Sequence, residues 1–505
     1  MSARIVINRA PGEARVAFLR DGVLEEIYIE RDHHLGVVGN VYRGKVTRVL
    51  PGMQAAFVEI GLGRAAFLYV DDIVTEEDLA RDAAEDIENS VDVPPPRERP
   101  PIEKLLSEGQ QIVVQVAKAP LGTKGARVTG YVTIPGRYVV YMPTIQKVGV
   151  SRKITQDAER KRLRELVESL RQPEDGGFIV RTVCEGLDSD TIAKDMEFVR
   201  SLWREVEEAA RTQPVPALLL ADLDLVLRAT RDLFNDDVEA LVVDSAEQGE
   251  RIKRLLNRSA PHLSERVEIY EEPEPIFDRF GLEVEVERAL LREITLPSGA
   301  AIVVDEAEAL TAIDVNTASF VGSKDLEATL LKTNLEAAKA IAAQIRLRNL
   351  GGIIIVDFID MQLPESREKV FSCFVEEIEK DRAKTHVSTM SDFGLIEMTR
   401  KRVRPSLGKA LTEPCPYCDG RGRIRSKATL CQDILREIKR QAQLHPDGQI
   451  LVSAMPEVAA RLWEDTSKRL VKLEEQLGRN IVVEARRDLH QESYEVLVRT
   501  TSTIP

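Results

Sequence analysis

The segment DLEATLLKTNLEAAKAIAAQIRLRNL, Asp325 to Leu350, runs directly into GGIIIVDFIDM, and this junction limits what the chain can fold into. Leu326, Leu330, Leu331, Leu335, Ala338, Ile341, Ala342 and Ile345 share one helical face, which Gly351-Gly352 ends. Ile353 to Val356 are aliphatic throughout, the pattern of a strand buried on both faces. Upstream, IVVD and ALTAIDVN read as neighbouring strands. A long amphipathic helix between apolar strands predicts a strand–helix–strand crossover in an α/β sheet, with the joined strands close together.

That crossover makes its acidic residues informative. Asp357 closes the return strand, where a carboxylate is costly unless something charged meets it. Asp314 and Asn316 lie two apart in AIDVN and therefore point to one face. The two aspartates are expected to meet at the carboxyl end of the sheet, where ligands of α/β folds bind. One or two carboxylates, several waters and a substrate phosphate form the usual shell of Mg2+. Asp360, three residues on, is expected to face away and to serve a turn or a supporting role. The competing reading has these aspartates capping helices or pairing with arginines.

At 505 residues the chain exceeds one ordinary core and predicts several domains. With 43% hydrophobic and 30% charged residues it is neither a disordered nor a membrane-embedded chain, and no apolar run approaches a bilayer span. The start, MSARIVINRAPGEARV, lacks an apolar leader core, so a cytoplasmic location is expected. The cysteines Cys184, Cys373, Cys415, Cys418 and Cys431 suit a reducing compartment better than a disulfide framework. A net charge of −14 argues against a nucleic-acid partner only until its distribution is read. Residues 71–100 set eleven acids against three arginines, whereas Lys118, Lys124, Arg127, Arg137, Lys147, Arg152 and Lys153 share a tract without an acid. Arg400 to Arg425 is a second basic tract; such local tracts matter for phosphate binding more than the net charge does, with solvated surface charge the alternative for each.

The first 35 residues read as strands, and the short alternating segments of NVYRGKVTRVLPGMQAAFVEIGLGRAAFLYV predict a small barrel of the OB type carrying an acidic loop, 71–101. Phe57 and Phe67, with Tyr42 and Lys45 nearby, suit a stacking platform for single-stranded bases, a core role being the alternative. Arg181 and Thr182 end the strand FIV and suit a phosphate group. Cys415 and Cys418 in EPCPYCDGRG supply two thiolates where structural zinc takes four ligands. Cys431 or His445 completes that set, or two subunits each donate a pair across a symmetric interface, or the cysteines are free and structural.

Placed in order, these segments resemble the ribonuclease E/G family over nearly the whole chain. GNVYRGKVTRVLPGMQAAFVEIGLGRAAFL is similar to its S1 domain, and LGTKGARVT with IPGRYVVYMP to the approach to its 5′-sensor. EALTAIDVN, TNLEAAKAIAAQIRLRNLGGIIIVDFIDM and FGLIEMTRKRVRPSL are similar to its nuclease core, and CPYCDGRG to its zinc link. The GTKGAR segment and the short C-terminal region look more like the ribonuclease G branch.

The resemblance implies a multidomain α/β and β fold. An RNase H-like unit (1–35 and 215–285) would be interrupted by an S1, OB-type RNA-binding domain (36–130) and a 5′-sensor region (131–214). A DNase I-like α/β catalytic domain (286–411), a zinc link (412–425) and a small α/β C-terminal domain (426–505) would follow. It implies a Mg2+-dependent endoribonuclease cleaving single-stranded RNA in rRNA maturation and mRNA decay, leaving 5′-phosphate and 3′-hydroxyl ends and favouring 5′-monophosphorylated substrates. Asp314 and Asp357 would bind Mg2+, and Asn316 would position the attacked phosphate or water. Phe57, Phe67 and Lys124 would hold RNA; Gly136, Val140, Arg181 and Thr182 would read the 5′-monophosphate. Cys415 and Cys418 would share one Zn2+ between protomers of a homodimer, or of a dimer of dimers. Glu185, Asp188 and Asp190, beside that phosphate pocket, would weaken 5′-end discrimination by like-charge repulsion. The alternative is a non-catalytic S1-type RNA-binding or assembly factor, which has no need of Asp314, Asn316 and Asp357 together.

Overall fold

The computed structural model describes residues 2–31, 36–74, 100–120, 125–151, 153–317, 326–391, 393–401, 404–464 and 467–499. The chain is a mixed α/β protein of two compact units, Met1–Ala410 and Leu411–Pro505. Among the described residues no helix is long and apolar enough to cross a membrane.

Turns at Pro11-Gly12 and Asp21-Gly22 fold the first three strands, Ala3–Ala10, Glu13–Arg20 and Val23–Arg31, into an antiparallel meander. Val238–Val243 and Val267–Ile269 extend it in parallel, completing a five-stranded sheet from segments more than two hundred residues apart. The chain between forms two further layers. Val41–Leu50, Ala55–Glu59, Ala66–Tyr69, Arg127–Thr129 and Gln111–Lys118 form a barrel that closes when the last pairs antiparallel with the first. Period-two alternation places Val46, Ala56, Val58, Leu68, Val114 and Val116 inside it. Ala217–Leu220 also pairs with Val41–Leu50, so this strand joins the barrel and not the five-stranded sheet. Of the acidic loop, residues 75–99 lie outside the described residues. A four-stranded sheet (Val148–Val150, Gly177–Val180, Val139–Met142, Ile134–Pro135) shares a core with helices Asp157–Leu170 and Ser189–Thr212.

The crossover forms as its periodicity predicts: Leu310–Asn316 lies parallel to Gly352–Asp357, with helix Leu326–Leu347 between them. Their sheet runs Glu293–Thr295, Ala301–Glu306, Leu310–Asn316, Gly352–Asp357, Leu395–Arg400, Thr385–Val387. Ala337, Ala338, Ile341, Ala342 and Ile345 are fully buried and pack with helix Pro364–Glu379 against Ile313, Ile354, Val356 and Ile396. Burying each such isoleucine contributes about 1.5–3 kcal/mol. Only one face is covered this way. Ile353 is 50% exposed, which corrects the expectation of a strand buried on both faces: the aliphatic run alternates out and in.

In the second unit, strands Ile481–Ala485, Gln449–Ala454 and Tyr494–Arg499 pack with helices Lys427–Leu444, Pro456–Glu464 and Ser467–Leu477.

Candidate active site

Asp314 and Asp357 are register partners on adjacent parallel strands, and both face the uncovered side of the sheet. Neighbouring strands lie about 4.8 Å apart, which places two like charges side by side. Burial at the strand end, then the charge of Asp314, then that of Asp360, push the Asp357 carboxyl above the usual carboxylate range. Asn316, on the same face, donates from Nδ2 to Asp314 Oδ2 at 2.8 Å and fixes that carboxylate. The strand stops at Asp357, and Asp360, beyond its end, adds a charge that acts on Asp357. Asn334, buried on the crossover helix, holds this exit: it donates to the Ile359 carbonyl (2.8 Å) and accepts from its amide (3.1 Å). A polar residue on an apolar helical stripe was the signal for it, since such a group must find a partner.

Among the described residues no cluster of three or more histidine, cysteine or acidic side chains forms a ready metal cage. Two in-register carboxylates with uncompensated like charge nevertheless fit Mg2+, which needs only one or two protein ligands.

On the barrel, Phe57 and Phe67 are cross-strand partners, half-buried, with ring centroids 5.6 Å apart. Tyr69, 40% exposed, continues the row at 4.5 Å from Phe67, and the Arg127 guanidinium lies 4.8 Å from the Tyr69 ring. These half-open edges suit base stacking better than a core role. Tyr69 and Arg127 were legible as alternation from Phe67 and as part of the basic tract, yet only pairing brings them together. Tyr42 is buried in the barrel, and Lys124 lies outside the described residues.

The four-stranded sheet gathers Gly136, Arg181 and Thr182. Arg181 Nη1 donates to the carbonyls of Gly136 (2.9 Å) and Arg137 (3.2 Å), and Nη2 donates to Asp232 Oδ1 (2.8 Å). Thr182 and Ser151 share a hydroxyl hydrogen bond of 3.0 Å. Val140 sits on the adjoining strand, opposite Pro135 and Ile179. The buried Asp195 carboxylate accepts from the amides of Arg137, Tyr138 and Val139 at 2.7–3.0 Å and so shapes this loop. Gly136 is required there, because a Cβ would stand 2.5 Å from Asp195 Oδ2. Burial pushes Asp195 above the usual carboxylate range, while the three amides pull the other way. Asp188 caps helix Ser189–Thr212 through the Thr191 amide (2.8 Å), a hydrogen bond that holds its carboxyl below the usual range and keeps it charged.

The basic tracts are not continuous phosphate surfaces. Arg137 is buried and donates to the Phe234 carbonyl, Arg127 pairs with Asp72 at 2.7 Å, and Arg400 with Asp381 at 2.7 Å.

Cys415 and Cys418 lie in one turn, where the Cys418 amide donates to the Cys415 carbonyl (3.3 Å) and the Gly422 amide to Cys418 Sγ (3.3 Å). Hydrogen bonds from the Tyr417 and Cys418 amides, and then from the Cys418 side chain, draw the Cys415 thiol below its ordinary range, toward the thiolate that binds metal. Cys431 is 1% exposed in the core of the second unit, so it is a packing residue and does not complete the ligand set.

Comparison with known proteins accounts for both units. Residues 133–403 match the model of the ribonuclease E/G family, and residues 414–500 match that of the RNase E/G thioredoxin-like domain. Over 498 residues the chain is 42% identical to ribonuclease G of Haemophilus influenzae, covering 98% of this chain and 99% of that protein. It is 40% identical over 498 residues to ribonuclease G of Escherichia coli K12, covering 99% and 100%. It is 37% identical over 442 residues to ribonuclease E of the same organism, covering 87% of this chain and 40% of that protein.

Proposed function

This chain belongs to the ribonuclease E/G family, and from that premise we propose that it is a Mg2+-dependent endoribonuclease acting on single-stranded RNA in rRNA maturation and mRNA decay. The observation that carries the proposal is the in-register pair Asp314 and Asp357 on an open sheet face, with Asn316 beside them. Mg2+ held there would supply the positive charge that activates water and offsets charge on the scissile phosphate. The chain's own residues do the placing. Asp314 and Asp357 would hold the ion from adjacent parallel strands that the crossover joins. Asn316 keeps Asp314 oriented and presents an amide toward the phosphate. Water adds to phosphorus as the bond to the 3′-oxygen breaks, and the proton passes to that leaving oxygen. The products are a 5′-phosphate and a 3′-hydroxyl.

The same reading makes Phe57 and Phe67 the platform for bases, joined by Tyr69 and Arg127, with Lys124 as a further RNA contact. Gly136, Val140, Arg181 and Thr182 form the 5′-monophosphate pocket, in which phosphate competes with Asp232 for the Arg181 guanidinium. RNA carrying a 5′-monophosphate is expected to be cut about tenfold faster than its 5′-hydroxyl counterpart, the size of one charge-assisted hydrogen bond. Thr182→Val and Arg181→Ala should erase that difference while leaving 5′-hydroxyl cleavage in place. Equal rates on both substrates in the unaltered chain would remove the sensor, and no Mg2+-dependent internal cleavage of either would remove the nuclease.

We also assign the five-stranded sheet to an RNase H-like unit, the barrel to an S1 domain and the crossover sheet to a DNase I-like domain. Cys415 and Cys418 act as half of a zinc link between protomers, since two thiolates leave two tetrahedral positions for a symmetric partner. Cys415→Ser should lower both zinc content and sedimentation mass. A variant that keeps its oligomer after losing zinc would sink the shared-ion assignment.

A further inference from the structure

We propose that the groove between helices Lys427–Leu444 and Ser467–Leu477 in the second unit is a phosphate-binding track for single-stranded RNA. This rests on the nuclease reading and extends it to a surface with no part in the chemistry. Each helix contributes four residues at the i, i+3, i+4, i+7 spacing of one face. Arg436 and Lys439 come from the first helix, Arg469 and Lys472 from the second, and together they border a cavity of about 330 Å3. Gln432 and Gln476 add amide donors to its lining, while Leu435 and Leu473, 9% and 4% exposed, are buried beneath it.

Three of the four cations have no carboxylate partner among the described residues, which matters in a chain of net charge −14. No acid lines the groove. Among the described residues Asp433 pairs with Arg436 but is shared with Arg425, and Lys439, Arg469 and Lys472 form no ion pair. In the arginine-lined cavity of the first unit most of the charge is met: Arg231, Arg251 and Arg258 pair with Asp232, Asp224 and Glu205, while Arg254 donates to the Glu250 carbonyl. Four neighbouring cations repel one another, and a chain of phosphates relieves that repulsion while releasing its own counterions. An acidic protein fits less well, because protein interfaces centre on exposed apolar or aromatic anchors and the leucines here are already buried.

The test uses the full chain with Arg436→Gln, Lys439→Gln, Arg469→Gln and Lys472→Gln combined, all four positions being exposed. Asp357→Asn is added to both partners of the comparison so that RNA stays uncut, and circular dichroism checks the fold. Binding of a long and a short single-stranded RNA is titrated against salt. The long RNA should bind the four-fold variant about tenfold more weakly. Its slope of log K against log salt should be shallower by about 3, from four contacts at roughly 0.7 each. The short RNA should bind equally, and without Asp357→Asn its cleavage should stay within about twofold. Unchanged affinity and slope for the long RNA overturn the track while leaving the nuclease standing. Absence of cleavage by the unaltered chain removes the nuclease, and the titration still decides the track. Groove-dependent binding of polyglutamate with RNA binding unaltered assigns the groove to an acidic protein and overturns the proposal.

Discussion

Asp357→Asn is expected to lower RNA cleavage by about a thousandfold or more, some 4 kcal/mol of transition-state stabilisation, without destabilising the protein. The two halves of that expectation come from one observation. The Asp357 carboxylate meets no cation and accepts no hydrogen bond among the described residues; the charges acting on it are the like charges of Asp314 and Asp360. A carboxylate that capped a helix or held an arginine would cost stability when neutralised. This one relieves repulsion, so the unfolding midpoint should stay level or rise. Asp314→Asn should lose cleavage to a similar degree while keeping an oxygen for the Asn316 amide. Asn316→Ala should lose less, about ten- to a hundredfold, because it orients a ligand and is not one. Single-turnover cleavage of an internally labelled RNA across a Mg2+ titration measures all three. Cleavage by Asp357→Asn within tenfold of the unaltered chain at every Mg2+ concentration would end the two-carboxylate account, and a large fall in unfolding midpoint would restore a structural one.

Periodicity carried the reading of this site a long way, and its failures mark where periodicity stops. The alternation of Asp314 and Asn316, and the amphipathic stripe Ala338, Ile341, Ala342 and Ile345, are local patterns; the crossover that follows from them puts Asp314 beside Asp357. Whether a sheet face is covered is not local. Ile353 is aliphatic whether it meets a helix or water, so one-sided cover was invisible in the sequence. Asp195 holds the Arg137 amide from 58 residues away and Asp232 holds the Arg181 guanidinium from 51, with no motif to announce either contact. Counting cations along the chain misled for the same reason: Arg137 and Arg400 look like phosphate ligands in a tract but are buried. The groove of the second unit shows the converse, since its four cations are split between residues 436–439 and 469–472 and form a cluster only once two helices pair.

Arg400 leads to the second large effect. Its side chain is 7% exposed and Asp381 is 3% exposed; Nε donates to Asp381 Oδ2 at 2.7 Å. Nη1 donates to Asn349 Oδ1 (2.8 Å) and to the Leu350 carbonyl (2.9 Å). Asn349 has φ +50°, a left-handed position that asparagine tolerates, in the turn joining the crossover helix to the strand that ends at Asp357. Arg400 therefore clamps the turn that sets the register of Asp357 against Asp314, and a slip of one residue would turn Asp357 to the covered face. Arg400→Met leaves Asp381 buried and unpaired, a change that costs about 3–5 kcal/mol. Replacing both, Arg400→Met with Asp381→Leu, removes the orphaned charge and should recover the greater part of it. Hydrogen exchange of the Ile354 and Val356 amides reads this locally, and cleavage assays read its consequence. The single variant should lose activity that added Mg2+ does not restore, because a slipped strand takes Asp357 out of the site and excess ion cannot replace that ligand. A loss below about 1 kcal/mol in the single variant would mean that the turn holds its register without the clamp, with the buried helix stripe sufficient to keep the two aspartates together.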